Sequence, residues 1–164
     1  MIDIERKEDE RGYFARTFCV DEFQARGLNA RLIQCSVSFN KRRGTLRGMH
    51  WQDPPHAECK LVRVTRGSIF DVIIDLREGS PTHKQHVAIE LTADNRRQVY
   101  VPEGCAHGFQ TLEDNTEVFY QMSAAFAPVL GRGVRWNDPA FGIQWPEVPE
   151  RIINERDAHY PDFK

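Results

Sequence analysis

The sequence predicts an all-β sandwich or barrel with very little helix, on three observations. Short segments rich in β-branched and aromatic residues recur along most of the chain. Polar or Gly/Pro stretches divide them at short intervals, and no helical segments alternate with them. At 164 residues, with 40% hydrophobic and 28% charged, the chain suits one soluble domain with a substantial core.

The elements follow in order. Near the start, Asp21 is a capping residue, Gln24 follows three positions later and Gly27 can terminate, which predicts a short helix over 21–26. Residues 31–39 alternate, with Leu32, Gln34, Ser36 and Ser38 on one face and Ile33, Cys35, Val37 and Phe39 on the other. A further alternating strand spans 46–52. Residues 60–64 and 68–76 are β-branched runs separated by Arg66-Gly67, and strands at 86–91, 98–101, 107–111 and 116–122 complete the series. After Pro128 the chain turns irregular: Gly131, Gly133, Pro139, Gly142, Pro146 and Pro149 interrupt any regular element. Trp136 and Trp145 are placed to pack that tail onto the sheet. No repeat or linker divides residues 1–164.

Composition excludes several classes of function. The formal net charge is −2, from 22 basic and 24 acidic residues, so the basic excess that nucleic acid or an anionic membrane surface calls for is missing. The cluster Lys41-Arg42-Arg43 leads into Gly44 and reads as a solvated turn. No apolar run has the length of a transmembrane helix, and Met1-Ile2-Asp3-Ile4-Glu5-Arg6-Lys7 is too charged for a secretory signal. Cys19, Cys35, Cys59 and Cys105 are far apart and include no C-x-x-C pair, which reads as free thiols in a cytoplasmic protein.

Three stretches could carry chemistry. Leu46-Arg47-Gly48-Met49-His50-Trp51-Gln52 sets Arg47 and His50 among apolar neighbours. Pro102-Glu103-Gly104-Cys105-Ala106-His107-Gly108-Phe109 is a turn leading into a strand whose histidine is flanked by small residues, which leave room for a ligand and suit tight packing equally. Phe119-Tyr120-Gln121 sets Tyr120 on the face of Val118 and Met122. Each position taken alone reads as core as readily as pocket. A metal centre is the rival explanation for two strand histidines in a β-barrel. The usual donor set has a His-x-His pair, a carboxylate and a further histidine. Here Gln52 follows His50 at the second position, and Glu58 near the carboxylate position leaves the set one histidine short. No Gly-rich phosphate loop occurs, so any phosphate must be held by side chains such as arginine.

Taken together, the segments resemble the dTDP-4-dehydrorhamnose 3,5-epimerase family. The resemblance rests on Asp9-Glu10-Arg11-Gly12-Tyr13-Phe14, on Gly44-Thr45-Leu46-Arg47-Gly48-Met49-His50-Trp51-Gln52 and on Lys60-Leu61-Val62-Arg63-Val64. It continues through Phe70-Asp71-Val72-Ile73-Ile74-Asp75-Leu76-Arg77, Ser80-Pro81-Thr82 and the Pro102–Phe109 stretch. The tail adds Trp136-Asn137-Asp138-Pro139, Ile143-Gln144-Trp145-Pro146, and Asp157 followed by Pro161. These stretches cover almost the whole chain, in order and at nearly constant spacing.

The resemblance implies a cupin jelly roll (a double-stranded β-helix) with short helices and an irregular C-terminal tail. It also implies a homodimer and a mechanism without metal or other cofactor. Its substrate would be a nucleotide-diphosphate 4-keto-6-deoxy sugar, inverted at carbon 3, carbon 5 or both. By position, His50 corresponds to the base, Asp157 to its orienting partner, Lys60 to the group that stabilises the enolate and Tyr120 to the acid on the opposite face. Arg11 and Arg47 correspond to diphosphate contacts. Gln34, His107, Phe14 and Phe126 correspond to groups lining the pocket.

The chemistry of these residue types agrees. A proton on carbon beside a ketone is acidic only because the carbanion delocalises onto oxygen. Its removal needs a base of near-neutral pKa, which histidine supplies. A carboxylate on the far ring nitrogen fixes the tautomer, and an ammonium at the ketone oxygen stabilises charge that grows in the transition state. Inversion also needs a proton donor on the other face, which a tyrosine hydroxyl provides.

The chain departs from the family pattern in its recognition residues. Arg16 and Ser36 stand where many relatives have glutamate and asparagine, and one extra residue separates Gln34 from Arg47. Phe126 replaces a second pocket tyrosine, and Val129-Leu130-Gly131 lacks an acidic residue. The chain also begins close to its first matching motif, so a leading strand is expected to be missing and a sheet edge left for association to cover. Two rival readings are a 3,4-ketoisomerase on a related jelly roll and a non-catalytic sugar-binding cupin. Pure binding would not require an acid and a base on opposite faces.

Overall fold

The computed structural model describes residues 1–163. An antiparallel hairpin, β1 (Arg6–Asp9) and β2 (Gly12–Ala15), precedes the short helix α1 (Val20–Gln24). The body comprises β3 (Gln34–Asn40), β4 (Leu46–Gln52), β5 (Lys60–Arg66), β6 (Ser68–Asp75), β7 (His86–Thr92), β8 (Gln98–Val101), β9 (Cys105–Thr111) and β10 (Thr116–Met122). A 3₁₀ turn at Pro128–Leu130, the three-residue strand β11 (Gly131–Gly133) and helix α2 (Glu155–Ala158) follow.

Two antiparallel sheets face each other, one ordered β3-β10-β5-β8 and the other β11-β4-β9-β6-β7. This is the sandwich that the strand pattern predicts and the jelly roll that the family resemblance implies. Val62, Val64 and Val118 of the first sheet meet Ile69, Ile73, Leu91 and Phe109 of the second to form the central core. A second cluster lies on the other face of the five-stranded sheet, where Met49, Val72, Ile74 and Ala106 are covered by Val134, Phe141 and the partly buried Trp145 of the tail. Strand β6 is therefore buried on both faces, which is why Ile69 to Ile74 reads as a nearly unbroken apolar run. Trp145 meets Phe70 edge-on at 5.8 Å, and its indole N–H donates to the Trp136 carbonyl at 2.7 Å.

Three local expectations change. Helix α1 starts one residue early on Cys19, which makes no side-chain cap; Asp21 lies inside the first turn, where it complements the helix dipole. The hairpin β1–β2 is absent from the sequence-based reading because β1 is wholly charged and both four-residue strands are almost wholly exposed, so no apolar alternation announces it. Strand β3 runs against simple patterning. Its polar face (Gln34, Ser36, Ser38) pairs in register with Met122, Tyr120 and Val118 over the interior. Its apolar face is outermost, leaving Ile33, Val37 and Phe39 at 45%, 57% and 45% exposure.

The turn after β6 is held by one carboxylate. Asp75 accepts from Arg77 Nε and Nη2 at 2.8 Å each, from Ser80 Oγ at 2.6 Å and from Thr82 Oγ1 at 2.7 Å. The Arg77 guanidinium leads these partners in holding the Asp75 carboxyl well below its usual range, against the opposing effect of burial. A depressed carboxyl stabilises the fold above the unfolded-chain value near 3.9, and that contribution fades as pH falls below it toward the folded value. Asp75→Asn should therefore cost about 2–3 kcal/mol at pH 7. The difference from wild type should narrow on acidification to about pH 3, read from denaturant midpoints. A gap that is constant with pH would refute the electrostatic account.

Candidate active site

A cavity of about 260 Å³ opens between the two sheets at the end where α2 docks. Larger cavities lie under the N-terminal hairpin and in the tail, each of about 400 Å³, and beside the Pro54-Pro55 turn, of about 480 Å³, but none gathers a comparable set of acid and base groups. Its walls come from distant parts of the sequence: Arg47 and His50 on β4, Lys60 on β5, His107 on β9, Tyr120 on β10, and Asn154, Arg156 and Asp157 in the tail.

Local irregularity in β4 places two of these groups. Residues three apart in a regular strand point to opposite faces. Here the β4–β9 register shifts between Arg47 and His50, so both line one cavity. The shift occurs where Gly48 has φ +131° and lies against Gly108; a Cβ on Gly48 would sit 2.5 Å from the Gly108 Cα. Only glycine at both positions permits that approach.

His50 Nε2 lies 2.8 Å from Asp157 Oδ1, and the Gly48 backbone N–H donates to Asp157 Oδ2 at 3.3 Å. The Asp157 side chain is only 1% exposed. Helix α2 presents it because Asn154 caps the helix, accepting from the Asp157 N–H at 2.7 Å. Burial works to raise the Asp157 carboxyl, but the hydrogen bonds from His50 and Gly48 outweigh it and hold the group below its ordinary value. Tyr160 packs edge-on to His50 at 6.1 Å.

Lys60 Nζ donates to the His50 carbonyl at 3.2 Å and pairs with Glu58 Oε1 at 3.2 Å, which leaves the third ammonium proton free. Tyr120 meets the His107 ring edge-on at 6.0 Å. Burial first, then the negative charge of Asp71, pushes the Tyr120 phenol well above its ordinary value, while Arg47 works the other way. His107 is itself held by a buried carboxylate, with Nε2 2.7 Å from Asp71 Oδ2. Gln52, at the position that would need a histidine for a metal set, spends its amide on the protein. Its Nε2 donates to the His56 and Ala125 carbonyls at 2.9 and 3.2 Å, and its Oε1 accepts from Ala127 N at 2.6 Å. Among the described residues, no three His, Cys, Asp or Glu side chains converge.

Of the ten residues the sequence singles out, His50, Lys60, Tyr120, Asp157, Arg47 and His107 share this cavity. Gln34 and Phe126 do not line it. Gln34 projects from the interior face of β3 near its start, and its Oε1 accepts from the Phe126 N–H at 2.8 Å while the Phe126 side chain stays largely exposed. Arg11 and Phe14 stand apart altogether, Arg11 because its guanidinium is engaged by Asp9 in the hairpin turn, and Phe14 because it is exposed on β2. Arg156 and Tyr160 escape sequence reasoning, and Glu58, which the sequence offers only as a metal ligand, is instead the ion-pair partner of Lys60. Arg156, whose Nη2 is 3.5 Å from His50 Nε2, had one available signal, its place next to Asp157.

A jelly roll whose interior holds a histidine–carboxylate pair facing a tyrosine, with an ammonium beside them, defines an acid–base isomerase. A profile of dTDP-4-dehydrorhamnose 3,5-epimerases matches residues 1–164. The chain is 43% identical over 167 aligned positions to the dTDP-4-dehydrorhamnose 3,5-epimerase of Methanothermobacter thermautotrophicus, covering all of this chain and 89% of that one. Its fold superposes with a TM-score of 0.93 on the Bacillus anthracis dTDP-4-dehydrorhamnose 3,5-epimerase solved with TDP and pyrophosphate, at 38% identity, covering 98% of this chain and 91% of that one. With the Legionella pneumophila epimerase solved in complex with dTDP-4-keto-L-rhamnose, the TM-score is 0.89 and the identity 33%, over 95% and 82% of the two chains. The chain belongs to the dTDP-4-dehydrorhamnose 3,5-epimerase family.

The Gly48 N–H also generates a test of the pair. In Asp157→Asn it should fix the amide with its oxygen toward Gly48 and its NH₂ toward His50. The imidazole would then accept at Nε2 and carry its proton on Nδ1, the reverse of the wild-type tautomer. Nitrogen-15 NMR of the ring at neutral pH reads this directly. An unchanged tautomer would mean that Asp157 does not set it.

Proposed function

We propose that this isomerase inverts carbon 3, carbon 5 or both of a nucleotide-linked 4-keto-6-deoxyhexose by general acid–base catalysis without a metal. One observation carries the reading. His50 and Tyr120 stand on facing sheets across a single cavity, the first paired with a buried carboxylate and the second a phenol kept protonated.

In this reading Asp157 accepts the Nε2 proton, so Nδ1 of His50 takes the proton from carbon. Charge passes to the ketone oxygen, where the free N–H of Lys60 and the polar lining around His107 stabilise it. Tyr120 then delivers a proton to the opposite face. The same groups serve either carbon next to the ketone. Arg47 at the cavity mouth takes the diphosphate, a role supported by the absence of any phosphate loop and by the TDP bound to the Bacillus anthracis relative. The fully committed amide of Gln52 supports the metal-free assignment. We place the enzyme in the cytoplasm, a reading supported by its four free cysteines; no helix in the described residues is long and apolar enough to cross a membrane.

We also propose a homodimer. Exposed Val37 and Phe39 lie on edge strand β3 with exposed Ile33 just before it, and an apolar surface on an open edge is what association covers. A second copy is also the means by which Arg11 and Phe14, exposed on the hairpin, would reach a cavity that their own chain does not bring them to. Light scattering at micromolar concentration should give twice the chain mass, and Val37→Glu with Phe39→Glu should give a folded monomer with raised KM. A monomeric wild type would overturn this part.

Tyr120→Phe tests the chemistry. The base, the lysine and the cavity volume remain, and only the donor hydroxyl is lost. The variant should still wash substrate protons into deuterated water, with retention, because His50 returns a deuteron only to the face it came from. Inverted product should fall about 10²–10⁴-fold while exchange falls far less. Equal loss of exchange and inversion in a folded variant would sink the two-face mechanism.

A further inference from the structure

Arg47 is exposed at the cavity mouth, where a long side chain would otherwise sample many directions. Its Nε donates to Oδ1 of Asn40 at 2.8 Å. Asn40 closes β3 and is 1% exposed. Its Nδ2 donates to the backbone carbonyls of Ser38 at 3.1 Å and Thr116 at 3.3 Å. Two carbonyls can be satisfied only by the NH₂ end of the amide, so Oδ1 is obliged to face the guanidinium. The Thr116 bond links this to the β3–β10 pairing, which makes the acceptor as rigid as the sheet.

The arrangement uses one of the five guanidinium N–H groups. The four on Nη1 and Nη2 have no protein partner among the described residues and form the edge that pairs with two phosphate oxygens at once. We propose that Asn40 is a positioning residue for the diphosphate of the substrate, acting through Arg47 by fixing the direction of its free edge. The inference rests on Arg47 being the diphosphate contact. Asn40 itself does not line the cavity, so its effect should appear in binding of the phosphates and leave the proton-transfer groups untouched.

The test is a double-mutant cycle on Asn40→Ala and Arg47→Lys, measuring competitive inhibition by dTDP and by thymidine, KM and kcat, with thermal midpoints alongside. Asn40→Ala should weaken dTDP and raise KM about five- to tenfold, the cost of ordering one long side chain on binding. Thymidine inhibition and kcat should stay within about twofold. In the Arg47→Lys background, which has no Nε to hold, Asn40→Ala should add less than about twofold. Asn40→Ser, whose hydroxyl can still serve Thr116 but is too short for Arg47, should behave as Asn40→Ala does if the latter fails to fold. Additive losses, or equal weakening of dTDP and thymidine, would reduce Asn40 to a structural role and overturn the inference. An Arg47→Lys variant with normal dTDP inhibition would instead remove Arg47 from the diphosphate, and the proposal with it.

Discussion

The hydrogen bond between His50 and Asp157 joins residues 107 positions apart, and much of the molecule is arranged so that it can form. A carboxylate that is 1% exposed is costly to bury unless each oxygen finds a donor. One oxygen takes the imidazole and the other the Gly48 N–H, which is available only because β4 departs from its regular ladder there. The Gly48–Gly108 approach is thus a requirement of the site as well as of the sheet. The tail must also return to this point. It crosses the outer face of the five-stranded sheet and buries Phe141 and Trp145 there. It then pairs Ile152 with Thr45 before α2 presents the carboxylate. The packing of the tail's apolar residues on the sheet thus fixes the path by which α2 reaches the site.

That dependence explains what could be read from the sequence. Strands β5 to β8 and β10 were legible because each is a short run rich in β-branched or aromatic residues, and because β6 is packed on both faces. The site was legible where a side chain and its strand partner lie within one motif, as with Arg47 and His50. Asp157 has no such local signature: four residues of helix in a Pro-rich tail carry no periodicity. Its assignment came from resemblance over the whole chain, as did those of Lys60 and Tyr120. The hairpin was invisible for another reason, since two four-residue strands exposed on both faces offer no alternation to detect.

Strand β3 shows how a pattern can be correct and its natural interpretation reversed. Alternation divides the strand as expected, yet the serine and glutamine face is the one turned inward. A polar cavity needs polar walls, so Ser38 lines it, and Gln34 lies on the same face of the strand, paired with Met122. The apolar residues are left outside, where a folded monomer has no use for them. Patterning reports which residues share a face; a functional interior decides which face turns toward it.

The electrostatics of the cavity follow from the same economy of walls. A phenol raised by burial and by Asp71 is a weak acid, which at first sight suits a proton donor poorly. The acceptor in the proposed reaction, however, is an enolate carbon, a far stronger base than a phenolate, so transfer remains favourable even from a weakened acid. The raised value keeps the donor loaded at rest at any physiological pH, and it prevents a tyrosinate from standing opposite the base and quenching it as an imidazolium. Arg47 opposes the shift, and its positive charge would ease the charge left on oxygen once the proton has gone. The acid must therefore be weak before transfer and its anion tolerated after it. A partly buried phenol between a fixed carboxylate and an arginine at the mouth meets both conditions.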